Sequence, residues 1–115
     1  MLLGFQKQFA PQVESGAKRC TIRGREAKPG EALYLYTGLR TKVCRKLGVE
    51  KCKRCRPIII REDGVKLGDM DLSTNGDSGL LLSIANDDGF ATFSLMRTWF
   101  RETHGLPFAG YLIEW

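Results

Sequence analysis

Lys18, Thr21 and Arg23 put an amine, a hydroxyl and a guanidinium within the short run Lys18-Arg19-Cys20-Thr21-Ile22-Arg23-Gly24. A threonine hydroxyl is unreactive alone and becomes a nucleophile when a neighbour takes its proton. A lysine can be that neighbour if burial or a nearby cation disfavours its charged form, and Arg23 is such a cation. The planar fork of Arg23 also suits a phosphate or a base edge. On pattern alone the same residues read more readily as an edge strand with solvated charges.

Position decides between these readings. A strand alternates its faces, so Thr21 and Arg23 point the same way. Lys18 falls on the other face of a regular strand, and joins them only if the chain is still turning there. Pro11 opens a short helical stretch just upstream, and Gly16 ends it. Leu2–Phe5 reads as a short first strand. Pro29-Gly30 turns the chain into the strand Glu31–Thr37, closed by Gly38. Leu39–Arg56 shows no sustained period and reads as a long loop. Pro57–Arg61 resumes as a strand, with a turn near Asp63-Gly64 and a second hairpin arm over Val65–Leu72. Ser73–Gly79 is polar and turn-rich, and Leu80–Ala85 fits helix or strand.

Phe93, Met96, Trp99 and Phe100 recur at helical spacing, which predicts a helix from Thr92 to His104, stopped by Gly105 and Pro107. His104 then falls at a helix C-terminus, a capping position. Ala109–Trp115 is an apolar closing strand, and Trp99 and Trp115 read as core. Tyr34 and Tyr36 share a strand face; core packing and stacking on a base are both open to them. The pattern is that of a single α+β domain, residues 1–115: a small mixed β-barrel with two or three flanking helices.

The 115 residues are enough to bury a core without disulfides. No apolar run reaches the roughly 20 residues of a membrane span, and the start turns polar too early for a secretory signal. The expected location is the cytoplasm, where cysteines stay reduced. The net charge of +5 is unevenly spread. Arg40, Lys42, Arg45, Lys46, Lys51, Lys53, Arg54 and Arg56 are opposed only by Glu50, so this window carries +7. That is the footprint of a polyanion partner, most naturally nucleic acid, or else a loop kept soluble by its charges. Cys52-Lys53-Arg54-Cys55 has the spacing of a zinc knuckle. With Cys44 it still needs Cys20 or His104 as a fourth ligand, and there is no second knuckle, so no metal or other cofactor is assigned.

Lys-x-x-Thr-Ile-Arg, a Pro-Gly-Glu turn into a strand, Asp88-Gly89-Phe90 before a helix and a terminal Tyr-Leu-Ile-Glu-Trp strand occur here in that order. In order and spacing the chain resembles the ASCH domain family, a branch of the PUA-like β-barrels, over nearly its whole length. Thr37–Gly48 resembles the basic loop of small phage and bacterial members. The resemblance implies a barrel with a cleft beside the Lys18–Arg23 strand, and RNA or a modified nucleoside as ligand. Some small members are amidohydrolases that remove the acyl group from N4-acetylcytidine, using a lysine, a threonine and a glutamate. Lys18 and Thr21 match the first two. Asp88, one methylene shorter, stands at the place of the third. The implied roles are Lys18 as base, Thr21 or a water it positions as attacking group, and Asp88 orienting Lys18, with Arg23 and Tyr36 binding substrate. Two alternatives use the same residues: a non-catalytic RNA-binding module held through the Arg40–Arg56 segment, and a ribonuclease working in the same cleft.

Overall fold

The computed structural model describes residues 1–115 and has an α+β architecture of two sheets and three helices. The smaller sheet has the order β1-β3-β4, formed by Leu2–Phe5, Ala32–Thr37 and Arg45–Lys51, with β1 parallel and β4 antiparallel to β3. The larger sheet is antiparallel in the order β2-β8-β5-β6-β7: Cys20–Arg23, Phe108–Glu114, Arg54–Arg61, Gly64–Leu67 and Met70–Ser73. Helix α1 spans Ala10–Ser15, α2 Ser78–Asp87 and α3 Phe93–Thr103. None of the helices is long and apolar enough to cross a membrane.

The sheets meet at a corner two residues long. The Cys52 amide donates to Glu31 O, just before β3 of the smaller sheet, and the next amide, Lys53, donates to Glu114 O of the larger one. The chain thus passes from one sheet to the other between β4 and β5, and neither sheet closes into a barrel. Each sheet has its own core. Ile58, Ile60, Val65 and Leu112 meet Leu81, Met96 and Phe100 of α2 and α3. Leu3, Phe5, Leu33 and Leu35 meet Val13 of α1, Ile113 of the larger sheet and Trp115 just beyond β8.

Two sequence expectations are corrected here and one open choice is settled. Leu39–Arg56 is not one loop: β4 and the start of β5 lie within it. Its strand period is masked by a bulge, since Leu35 pairs with Gly48 but Tyr36 with Lys46, leaving Leu47 as the extra residue. Val65–Leu72 is two strands, not one hairpin arm, because Gly68 at φ 58° reverses the chain between β6 and β7. Leu80–Ala85 resolves as helix, with Leu81 and Ala85 on its buried face. The predicted 92–104 helix is α3, whose N-cap Thr92 accepts from the Leu95 amide at 3.1 Å.

Candidate functional site

Two helix C-termini, each reversed by a glycine, create the site. Helix α1 ends at Gly16, which takes the left-handed conformation at φ 82°. The Lys18 amide then folds back to Gln12 O at 2.9 Å, so the chain is still turning at Lys18 and enters β2 only at Cys20. Helix α2 ends in a Schellman motif: Gly89 N bonds Asn86 O at 3.0 Å and Phe90 N bonds Ala85 O at 2.8 Å, with Gly89 at φ 91°. Asp88 is the capping residue of that motif, its backbone fixed by a bond to Ile84 O.

The two turns bring Lys18 and Asp88 together. Lys18 Nζ donates to Asp88 Oδ1 at 2.6 Å and to the Asp88 backbone oxygen at 2.6 Å. Both residues are buried, at 3% and 5% exposure, so this ion pair is shielded from solvent. The C-terminal carbonyls of α2 add to the attraction, since a cation is favoured at that end of a helix. The amine also stands 5.2 Å from the centre of the Phe9 ring. Burial pushes the Asp88 carboxyl above its usual range, opposed first by Lys18 and then by Arg23.

Thr21 and Arg23 share a face, as strand alternation requires. Arg23 Nε donates to Thr21 Oγ1 at 2.9 Å, and its Nη2 donates across to Gly4 O of β1 at 2.7 Å. Thr21 Oγ1 therefore accepts from the guanidinium while its own hydrogen stays free to donate. The opposite face of β2 carries Cys20 and Ile22 into the core of the larger sheet. Burial pushes the Cys20 thiol up and makes it inert.

Lys18, Thr21, Arg23 and Asp88 line one cavity of about 300 Å³, at the lower end of the range for small-ligand sites. Its other walls are largely aromatic: Phe9, Phe90, Trp99, Phe100, His104 and Phe108. Their rings form a chain of edge and tilted contacts, Phe9–Phe90 at 5.5 Å, Phe90–Trp99 at 6.0 Å, Trp99–Phe100 at 4.9 Å and His104–Phe108 at 4.8 Å. A polar floor under an aromatic wall is suited to a flat heteroaromatic ring carrying a carbonyl. Sequence reasoning assigned Trp99 to the core and His104 to a cap. Trp99, half-buried, packs against the core of the larger sheet and also lines the cavity; His104 caps α3 and lines it as well. Phe90 had a signal, the aromatic that follows Asp-Gly, whereas Phe9 had none.

Tyr36 is not among the cavity residues. Leu33, Leu35 and Thr37 face inward on β3, which leaves Tyr36 with Tyr34 on the outer face of the smaller sheet. The basic segment is also divided. Arg45 pairs with Glu14, and Arg54 and Arg56 both pair with Glu114, whereas Arg40, Lys42, Lys46, Lys51 and Lys53 have no carboxylate within ion-pair distance. All four cysteines are free, and no three His, Cys, Asp or Glu residues gather at metal-binding range.

Gly89→Ala tests the second turn. An added Cβ lies 2.7 Å from Gln12 Oε1 and 3.1 Å from Phe9 Cδ1, on a left-handed backbone. The expected loss is about 1–2 kcal/mol of stability, read by urea denaturation, with Asp88 shifted off Lys18. Comparison of the chain with protein-family models, with curated proteins and with solved structures found no match.

Proposed function

We propose that this chain is an ASCH-type, PUA-like barrel protein that takes an N4-acylated cytidine into the aromatic cavity and hydrolyses its acyl amide. The observation that carries this reading is the buried Lys18–Asp88 pair, set in one cavity with the Arg23-bonded hydroxyl of Thr21. The barrel reading draws support from the Cys52-Lys53 corner on one side and from Arg23 spanning β2 to β1 on the other.

The chemistry follows from donor counting. Lys18 spends two N–H bonds on Asp88, so its remaining position is a third N–H when charged and a lone pair when neutral. The base form is the one that has lost this third proton: both bonds to Asp88 are kept and the lone pair faces the cavity. Thr21 Oγ1, or a water bound to it, attacks the acyl carbon as its proton passes to Lys18. The resulting tetrahedral centre collapses when Lys18 returns that proton to the departing N4, and the C–N bond breaks. If Thr21 is the attacking atom, water then cleaves the threonyl ester. The products are cytidine and a carboxylic acid. Arg23 holds the Thr21 oxygen in place, and the rings of Phe90 and Trp99 stack on the pyrimidine.

Incubation of the protein with N4-acetylcytidine, followed by chromatography, tests the proposal. Stoichiometric cytidine and acetate are expected. No turnover at high enzyme concentration from neutral to alkaline pH would rule out the enzyme.

A further inference from the structure

The outer face of the smaller sheet carries a second set of side chains that do not line the cavity. The strand register lines up Leu2, Tyr34 and Val49 across β1, β3 and β4, and beside them Gly4, Tyr36 and Lys46. Residues directly opposite on neighbouring strands share a face. Leu2, Tyr34 and Val49 are 59%, 44% and 47% exposed, so nothing covers the row. Lys51, opposite Ala32, stands on the same face. Glu50, the acid on β4, stands opposite buried Leu33 and so belongs to the other face.

The cations are placed around the aromatics. Lys46 and Lys51 flank Val49 on β4, and neither has a carboxylate partner. A Cβ on Gly4 would lie 2.8 Å from Leu39 Cδ1, so Leu39 is seated against that glycine. The connection that follows, carrying the unpaired Arg40 and Lys42, therefore begins at one end of the face. Lysines on an edge strand discourage sheet-to-sheet pairing. That role leaves unexplained two tyrosines on the central strand, about 7 Å apart along it, the reach of neighbouring bases in an extended nucleotide chain.

We propose that this face docks a single-stranded segment of RNA, with bases stacked on Tyr34 and Tyr36 and phosphates on Lys46, Lys51, Arg40 and Lys42. Sheet aromatics take unpaired bases by their π-faces, and flanking cations take the backbone. The tyrosine hydroxyls can reach a ribose 2′-OH, which a deoxyribose lacks.

The test is fluorescence polarisation with a labelled, unstructured uridine 12-mer, titrated at several salt concentrations. Tyr34→Ala is expected to weaken binding by about 5- to 100-fold, while Tyr34→Phe keeps the stack and most of the affinity and loses part of the margin over the deoxyuridine 12-mer. Lys46→Gln with Lys51→Gln should flatten the log-affinity against log-salt slope by about 1.4. Both positions are exposed, and thermal melts confirm that each variant is folded. The proposal is overturned if wild type does not bind, or if Tyr34→Ala binds as wild type does. Tighter binding of duplex RNA, or equal binding of the deoxyuridine 12-mer, also overturns it. Because Tyr34 is outside the cavity, its loss should leave nucleoside hydrolysis unchanged, so the two proposals fail separately.

Discussion

Lys18→Met is expected to lower stability by roughly 3–5 kcal/mol and to slow hydrolysis by about 10²- to 10⁴-fold. Removing one partner of a buried ion pair leaves the other charge without water and without a counterion. Asp88 is 5% exposed and its carboxylate has no other donor in reach, so it inherits that penalty. Lys18→Met with Asp88→Leu removes the orphan charge as well as its partner, and most of the lost stability is expected to return. The rate is not expected to return, since the base is missing; general-base loss costs about 10²- to 10⁴-fold. Urea denaturation and turnover measured on both variants separate the structural effect from the chemical one.

The same pair sets a pH dependence. In the native protein the Asp88 carboxyl lies above its ordinary 3.8, because desolvation outweighs the pull of Lys18 and Arg23. A carboxyl raised by folding adds stability fully present below its unfolded value, and that contribution is lost as pH rises through the folded value. Lys18→Met takes away the leading opposing influence, so the carboxyl rises further. The stability deficit of Lys18→Met against wild type is therefore smaller at pH 5 than at pH 8. A deficit independent of pH would show that Asp88 is not the group left stranded.

Thr21→Val is the second large effect. Valine keeps the shape and the strand propensity of threonine, so β2 retains its packing between the cavity and the core. It removes the acceptor of Arg23 Nε, which is expected to cost about 1–3 kcal/mol. If Thr21 supplies or positions the attacking oxygen, turnover falls by roughly 10³-fold or more. Thr21→Ser restores both the acceptor and the hydroxyl and should recover most of the rate. Recovery of stability without recovery of rate would leave Thr21 as a support for Arg23 alone.

How much of this was legible in the sequence depended on range. Local signals were read correctly: Gly16 and Pro11 bounded α1, and the period of Phe93, Met96 and Phe100 marked α3. The turn that brings Lys18 to Thr21 and Arg23 follows from that same Gly16. Asp88 lies 70 residues from Lys18, and nothing in periodicity joins them; only the family resemblance paired them. The structure adds the cause, a Schellman cap that aims the carboxylate and the backbone oxygen at one amine. Strand β4 was missed because lysines and a bulge at Leu47 hid its alternation. Tyr36 was placed in the cleft because β3 could have turned either face inward. Leu33 and Leu35 settled that choice by filling the core.

The central claim, that the buried amine acts on a bound acyl amide, is tested most directly by a single comparison. Cytidine release from N4-acetylcytidine is measured for wild type and for the refolded, charge-free double variant Lys18→Met with Asp88→Leu. Wild type should release cytidine and acetate in equal amounts, and the double variant should release both at least about 100-fold more slowly. Equal release by the two proteins, or none by wild type, contradicts the account.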